Sequence, residues 1–372
     1  MSMSSDSTAH VDVDLSALIT NFERLAAASV GATPAAVMKC DGYGLGAIAA
    51  ARVLAKRKNC QVFFVAHAIE GVQLRAGLAD LAPGAEIFVL NGPIGDLQIY
   101  RDARLTPVLN SLDQAKQWVE AHPDMPAAVH FDTGFNRLGA PEREIDAILS
   151  LKRLRINMVM SHLAHAGTRA HPANSQQKRR FDALQAKFPD ARRSLVSTGG
   201  ALIGPDYGAD LLRLGIGLYG VSPFGCPVDE IDPVATLSAP VIQIFDIAPG
   251  DAVGYDGLFV ADRPTRIATL SIGYGDGFPR AAGDGANVSI GGFTCPVVGR
   301  VSMDLTTIDI THAPGAISIG DRAEIFGRTA PIEHVAKACN TIGYELLTRL
   351  GRRVERRYWL DGTRAPAWVI DK

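Results

Sequence analysis

Short apolar runs recur through the first 220 or so residues of the chain, and each is followed by a stretch with helical spacing of its apolar residues. Strands of a parallel sheet have this appearance, because helices cover both faces of the sheet. Eight such units predict an α/β fold, an N-terminal (β/α)8 barrel. A doubly wound open sheet is the alternative, but it usually has fewer strands. The predicted strands are Ala35–Met38, Val62–Val65, Ile87–Leu90, Pro107–Leu109, Ala127–Phe131, Ile156–Met160, Leu195–Ser197 and Leu214–Tyr219.

The pattern changes after Asp232, where β-branched or alternating segments are separated by glycine and proline turns. This predicts a mostly β C-terminal domain, residues 233–372, after a barrel of residues 11–232. An N-terminal strand within residues 1–13 is a candidate to join the second domain. The predicted strand segments are Val241–Phe245, Gly250–Gly254, Thr265–Ser271, Val288–Val298, Thr306–Ile310 and Arg322–Ile325.

Charge and cysteine content exclude several classes of protein. The net charge of −2 is spread over interspersed acids and bases, so we expect neither nucleic acid nor a membrane as partner. The five cysteines are widely spaced and form no CxxC pair, which argues against a disulfide framework and against a metal site. The polar N-terminus has no signal-peptide pattern, so a cytoplasmic location is expected.

Lys39 stands where an apolar strand meets a glycine-rich turn, in the run AVMKCDGYGLG from Ala36 to Gly46. A lysine that forms a Schiff base with pyridoxal 5'-phosphate (PLP) needs a partly desolvated amine, and the cofactor's phosphate needs backbone N–H groups. Tyr43 is placed to add a hydroxyl to that phosphate. The alternative is an ordinary solvated lysine at the end of a strand.

Uncommon polar residues also follow several later strands, at the end of a barrel where active sites lie. Each has a structural explanation of its own; His162, for example, suits a buried histidine with satisfied hydrogen bonds. Together they predict an active site, in which Thr198 and Gly215 cradle a phosphate where the last two loops meet. The segments are Asp132–Arg137, Ser161–His162, Ser197–Gly200 and Arg213–Ile216.

These segments, in this order, resemble the motifs of the alanine racemase family over nearly the whole chain. The resemblance implies a fold-type III PLP enzyme, an isomerase that interconverts L-alanine and D-alanine through a PLP aldimine with two bases. It also implies a homodimer whose active sites are shared between subunits, and a role in D-alanine supply for cell-wall precursors or in alanine breakdown. The matching motifs are Ala36–Ala47, Asp132–Gly139, Ser161–Ala164, Arg213–Gly220, Ser271–Arg280, Gly299–Asp304 and Tyr344–Glu345.

The resemblance also assigns roles to residues of this chain. Lys39 and Tyr274 are the two bases, and Arg137 and Met303 meet the substrate. Arg300 and Asp304 support the site, and cations such as Arg300, Arg213 and His162 would stabilise a tyrosine phenolate. The cofactor-binding residues are Lys39, Tyr43, His162, Thr198, Arg213, Gly215 and Ile216.

Two positions depart from the family pattern. His130 stands where many members have a lysine that becomes carbamylated and steers the neighbouring arginine. A histidine cannot form that anion, so we expect Arg137 to be oriented by neutral His130, a water molecule or a bound chloride. Arg352 stands where several members have a tyrosine at the substrate entrance, which would broaden substrate choice.

Three other functions compete with alanine racemisation. One is a racemase of other or more varied small amino acids, such as serine or lysine. Another is a non-enzymatic PLP-carrier protein, which would lack the second domain with Tyr274 and Met303. The third is a fold-type III decarboxylase, which would be longer and carry an acid in place of Arg213.

Overall fold

The computed structural model describes residues 8–29, 31–313 and 317–370. Its contacts divide the chain into two compact units. The barrel unit holds Leu18–Leu218 and the chain from Pro366 on, and the sheet unit holds the chain up to Ala17 and Tyr219–Ala365. The predicted domains, 11–232 and 233–372, stay a prediction; residues 1–7, 30, 314–316, 371 and 372 lie outside the described residues.

Eight parallel strands form the barrel unit and confirm the predicted (β/α)8 fold class. Each of the first six strands pairs in parallel with the next along the chain, and the eighth pairs with the first, so that the seventh and eighth strands are the two ends of the sheet. A bridge between Ser197 and Arg213 brings the two ends of the sheet together. The strands are Thr33–Val37, Val62–Val65, Glu86–Val89, Thr106–Leu109, Pro126–His130, Arg155–Met160, Arg192–Ser194 and Leu211–Leu214.

Helices follow most of the strands, as the helical spacing of the apolar residues predicts. Ser111 begins one of them, since its hydroxyl accepts a hydrogen bond of 3.2 Å from the N–H of Gln114. The helices of this region are Leu15–Ala27, Lys39–Tyr43, Ala47–Lys58, Ala68–Gly77, Gln98–Asp102, Leu112–Ala121, Glu142–Leu149, Pro172–Gln185, Thr198–Ala201 and Ala367–Ile370, with short 3₁₀ turns at Pro205–Tyr207 and Ile216–Tyr219.

The last two barrel strands lie earlier in the sequence than predicted. The seventh strand is Arg192–Ser194, and the predicted run Leu195–Ser197 leads from it into the turn at Thr198. Ion pairs let this polar strand join the sheet, with Arg193 bound to Asp210 at 2.8 Å. The eighth strand ends at Leu214, so the run to Tyr219 is mostly a 3₁₀ turn.

The last described helix, Ala367–Ile370, packs against Ala47–Lys58 in the barrel unit. Arg52 is buried and donates hydrogen bonds to the carbonyls of Gly77 and Trp368, both at 2.6 Å. Lys56 places its ammonium 4.0 Å from the ring centroid of Trp368. These contacts fix the end of the described chain to the barrel.

The sheet unit is mostly β, as predicted. His10–Asp14 lies inside its main sheet, antiparallel to Ala235–Ile247 and parallel to Glu355–Leu360. The other strands are Ala252–Val253, Phe259–Val260, Thr265–Leu270, Asn287–Ile290, Phe293–Pro296, Thr306–Asp309, Arg322–Phe326 and Thr363–Arg364; the helices are Ile332–Ala338 and Gly343–Thr348, and 3₁₀ turns lie at Tyr255–Gly257, Tyr274–Asp276 and Arg280–Asp284. Among the described residues, none of the helices combines the length and the apolar character needed to cross a membrane.

Candidate active site

Lys39 precedes a left-handed turn of four residues at the end of the first barrel strand. Cys40, Asp41, Gly42 and Tyr43 have φ values of 53°, 52°, 61° and 55°. Residues other than glycine rarely adopt this conformation, and those that do are held in it by the surrounding structure. Burial lowers the pKa of the Lys39 amine, and the neighbouring Arg137 and Arg213 also lower it.

The turn brings Tyr43 to the loops after the last two strands. A Cβ atom at position 215 would lie 2.6 Å from the Tyr43 hydroxyl oxygen, so only glycine fits beside that tyrosine. The Thr198 hydroxyl accepts hydrogen bonds from the N–H groups of Gly215 and Gly217, at 3.1 and 3.3 Å. Ile216, between the two glycines, is buried. Hydroxyls and backbone N–H groups thus converge as a phosphate site requires.

Arg213 is buried in the eighth barrel strand, and both terminal nitrogens of its guanidinium donate hydrogen bonds. Nη1 donates to the carbonyl and the hydroxyl of Ser194, at 2.8 and 2.6 Å, and Nη2 donates to the Ser161 carbonyl at 2.5 Å. These contacts leave its Nε–H without an acceptor among the described residues. Burial lowers the pKa of Arg213 to about 9, so the guanidinium is charged at neutral pH.

His162 lies beside Arg213, with Nδ1 3.4 Å from Nη2 of the arginine. Burial and the charge of Arg213 hold the pKa of His162 well below its usual range. The histidine is therefore neutral, and its Nδ1 accepts from the guanidinium. The ring of Phe135 lies 5.6 Å from the His162 ring, centroid to centroid.

Asp132 shapes the loop that carries Arg137. Its Oδ1 accepts hydrogen bonds from the backbone N–H groups of Gly134 and Phe135, both at 2.9 Å. Burial raises the pKa of this carboxyl and the backbone hydrogen bonds lower it, with a net decrease. The Arg137 guanidinium lies 4.0 Å from the centroid of the Phe135 ring, which is cation–π geometry.

His130 is buried in the fifth barrel strand and is hydrogen bonded to Asn110, with Nδ1 2.9 Å from Oδ1. Burial lowers the pKa of His130 to about 3, so the ring is neutral near pH 7. Within the described residues, Arg137 has its close contact with Phe135 and makes no hydrogen bond with His130. Orientation of Arg137 by His130, water or chloride stays a prediction.

The sheet unit carries the remaining predicted residues on two adjoining loops. The N–H of Tyr274 donates to the Ser302 carbonyl at 3.0 Å, and the N–H of Gly275 donates to the Met303 carbonyl at 2.8 Å. A Cβ at Gly273 would lie 2.3 Å from the Ser302 carbonyl oxygen, so the loops need glycine there. Tyr274 and Met303 are exposed, at 41% and 56%.

Arg353 ties the same two loops together with its side chain. Its Nε donates to Asp276 at 2.9 Å and its Nη1 donates to Asp304 at 2.7 Å. Asp276 also accepts from the Gly273 N–H at 3.0 Å. Arg300, predicted as a support, is bound to Asp256 at 2.9 Å.

The structure thus places each predicted site residue in one of two groups, one inside each unit. The barrel group is Lys39, Tyr43, His130, Arg137, His162, Thr198, Arg213, Gly215 and Ile216; the sheet group is Tyr274, Arg300, Met303 and Asp304. Sequence reasoning missed Asn110, Phe135, Ser194 and Arg353. Phe135 lies within the predicted segment Asp132–Arg137 and Arg353 directly follows Arg352, which was the available signal. Asn110 and Ser194 carried none.

The chain matches two family models in succession. The model "Alanine racemase, N-terminal domain" covers residues 13–223. The model "Alanine racemase, C-terminal domain" covers residues 234–358.

Curated relatives and solved structures agree with these models. An alanine racemase of Jannaschia sp. is 44% identical over 350 residues, 94% of this chain and 98% of the relative. The crystal structure of alanine racemase from Bartonella henselae with covalently bound pyridoxal phosphate has a TM-score of 0.88 at 34% identity, covering 95% of this chain and 99% of that one. The biosynthetic alanine racemase of Pseudomonas aeruginosa has a TM-score of 0.87 at 33% identity, covering 95% and 99%. The chain belongs to the alanine racemase family.

Proposed function

We propose that Lys39 and Tyr274 are the two bases with which this chain interconverts L-alanine and D-alanine. The chain is a PLP-dependent racemase, an isomerase, as its family and relatives of 39 to 44% identity over most of its length indicate. The observation that carries the assignment is the half-buried Lys39 at the head of a left-handed turn, whose last residue, Tyr43, lies against the Thr198–Gly215 cradle.

The barrel residues fit PLP. Lys39 would hold the cofactor's carbonyl carbon, and Tyr43, Thr198, Gly215 and Ile216 would hold its phosphate. Bound PLP withdraws electrons from the substrate's α-carbon and so makes the α-proton acidic. His162 would lie against the ring, and the Nε–H of Arg213, which has no acceptor among the described residues, would meet the ring nitrogen. An arginine keeps its proton, so it would donate a hydrogen bond to the ring nitrogen without transferring the proton to it.

Racemisation needs one base on each face of the α-carbon. Burial lowers the pKa of the Lys39 amine, so more of it is neutral near pH 7 and ready to take a proton. We assign Lys39 to the α-proton of D-alanine and Tyr274 to that of L-alanine. Arg137 and the backbone N–H of Met303 would bind the substrate carboxylate, with Arg300, Asp304 and His130 in support.

We also propose a homodimer in which Tyr274 and Met303 of one subunit complete the site of the other, in a cytoplasmic enzyme. Mixed dimers test the shared site. Each of the variants Lys39→Ala and Tyr274→Phe alone should be inactive, and a mixture refolded together should regain activity, because one of its two sites keeps both bases. Recovery no greater than in either variant alone would contradict sharing, and cell fractionation tests the location.

The activity itself is tested with holoenzyme and L-alanine in deuterium oxide. We expect D-alanine to form with deuterium at the α-carbon, and Lys39→Ala to abolish both racemisation and exchange. A wild-type protein that does neither, or a Lys39→Ala variant that does both, would overturn the assignment. Parallel rates with L-serine and L-lysine test whether Arg352 at the entrance broadens the substrate range.

A further inference from the structure

Glu70 joins two strand-end loops of the barrel unit through one carboxylate. It lies on the helix Ala68–Gly77, and its Oε1 accepts a hydrogen bond of 2.7 Å from the backbone N–H of Cys40. Its Oε2 accepts from the N–H groups of Ala66 and His67, at 2.8 and 3.0 Å. Both carboxylate oxygens are therefore engaged, one on the loop after Lys39 and the other on the loop after the next strand.

The Cys40 N–H belongs to the first residue of the left-handed turn. Three of the four turn residues carry side chains and are disfavoured in this conformation, so contacts around the turn must hold it. Backbone hydrogen bonds from Gly42 to Met38 and from Gly44 to Cys40, at 3.0 and 2.8 Å, close the turn internally. Among the described residues, the hydrogen bond to Glu70 anchors the first residue of the turn to a neighbouring barrel loop.

The charge of Glu70 also acts on Lys39. The groups that influence the lysine amine are the Cys40 thiol, Arg137, Glu70 and Arg213, and Glu70 is the carboxylate among them. Both arginines disfavour a positive charge on Lys39, whereas Glu70 favours it. A base that must take up a proton in a buried site benefits from such a partner.

We infer that Glu70 is a positioning residue that orients Lys39 by anchoring the left-handed turn. The inference rests on the proposed role of Lys39 as the base for D-alanine. Glu70 itself need not touch the substrate.

The test compares Glu70→Gln with the matched control Glu144→Gln. Glu144 makes the same kind of contact on another part of the barrel, accepting from the Leu112 N–H at 2.8 Å. A glutamine has one acceptor oxygen and one NH₂ donor, so it cannot accept from both loops as Glu70 does. In the holoenzyme, we expect Glu70→Gln to speed amide hydrogen exchange in residues 38–46, and Glu144→Gln to leave that segment unchanged.

Rate constants and isotope effects distinguish a role of Glu70 in orienting Lys39 from a general loss of structure. We expect Glu70→Gln to lower kcat for D-alanine about 10- to 100-fold and to change KM by about twofold at most. The isotope effect with α-deuterated D-alanine should rise, because proton removal by Lys39 becomes slower, and that with α-deuterated L-alanine should not. Exchange and isotope effects like those of Glu144→Gln would overturn the inference.

Two further outcomes are distinguishable. If the wild-type holoenzyme does not racemise alanine, the proposed function fails, and unchanged exchange at residues 38–46 in Glu70→Gln would also reject the anchoring contact. If Glu70→Gln does not fold, Glu70→Asp replaces it, since its shorter side chain keeps the charge but cannot reach both loops. A raised isotope effect for D-alanine in that variant supports the inference, and a normal one overturns it.

Discussion

His130 donates a hydrogen bond from Nδ1 to Oδ1 of Asn110 inside the barrel, over 2.9 Å. The direction is set by the asparagine, whose Nδ2 donates to the carbonyls of Leu90 and Val108 at 3.0 and 2.8 Å. Its Oδ1 must therefore be the acceptor, so the proton of the neutral imidazole is on Nδ1. Nε2 is left as an acceptor.

This buried neutral histidine predicts a loss of stability in acid. Its pKa of about 3 in the folded protein lies below the usual 6.5, so the unfolded chain binds more protons between these values. Its stabilising contribution is complete above pH 6.5 and is lost as the pH falls towards 3. His130→Gln should reduce the slope of unfolding free energy against pH by up to about 1.4 kcal/mol per unit in this window. Urea unfolding from pH 4 to 7 measures it; parallel slopes in the two proteins would contradict it.

The contact of Arg137 with Phe135 predicts an effect on substrate binding. Removing the ring in Phe135→Leu takes away a cation–π contact worth about 0.5 to 1 kcal/mol at an exposed site. We expect KM for alanine to rise about two- to fivefold with a smaller change in kcat. Phe135→Tyr keeps the ring and should restore KM. Steady-state kinetics decide, and an unchanged KM in Phe135→Leu would show that the ring does not orient Arg137.

The close approach of Gly215 to Tyr43 predicts that PLP binding is sensitive to one methyl group. In Gly215→Ala the new Cβ would lie 2.6 Å from the tyrosine hydroxyl, so the cradle must open. We expect PLP affinity to fall at least about tenfold, a cost of about 1.4 kcal/mol. Gly204→Ala is the control, because a Cβ there meets no atom within 4 Å. Equilibrium dialysis gives both affinities, and equal values would refute the cradle.

Arg353 is predicted to position Tyr274 by holding its loop, without contacting the substrate itself. Arg353→Ala removes the hydrogen bonds to Asp276 and Asp304, which link the two loops that carry Tyr274 and Met303. We expect kcat to fall about tenfold, with a larger isotope effect for α-deuterated L-alanine. Arg349→Ala, which removes an exposed pair with Glu345, should keep normal rates. Equal kinetics of the two variants would exclude the positioning role.

Most of the barrel could be predicted from the sequence because each strand buried in a parallel sheet is a short apolar run. Such a run can be recognised without knowing which strands it pairs with. The prediction misplaced the seventh strand because Arg192 and Arg193 are polar there, and only Glu86 and Asp210, distant in sequence, make them suitable for the sheet. The same limit applies to the site. Lys39 stands out by its local setting, whereas the link between Glu70 and Cys40 depends on residues 30 positions apart.

The left-handed turn was equally hidden from the sequence. Gly42 is the residue that signals such a conformation, but Cys40, Asp41 and Tyr43 adopt it as well. Their conformation follows from the packing around them and not from their own preferences. Local propensity therefore could locate the turn after Lys39, but not its handedness or what it does to Tyr43.

The strand His10–Asp14 lies between two strands that are translated much later, Ala235–Ile247 and Glu355–Leu360. A ribosome therefore releases this strand long before either neighbour exists. All eight barrel strands, by contrast, have been made once Leu214 has emerged. The barrel strands can therefore pair during synthesis, while the sheet around His10–Asp14 has to wait until Glu355–Leu360 has been made. Completion of this sheet is thus a later step of folding than assembly of the barrel strands.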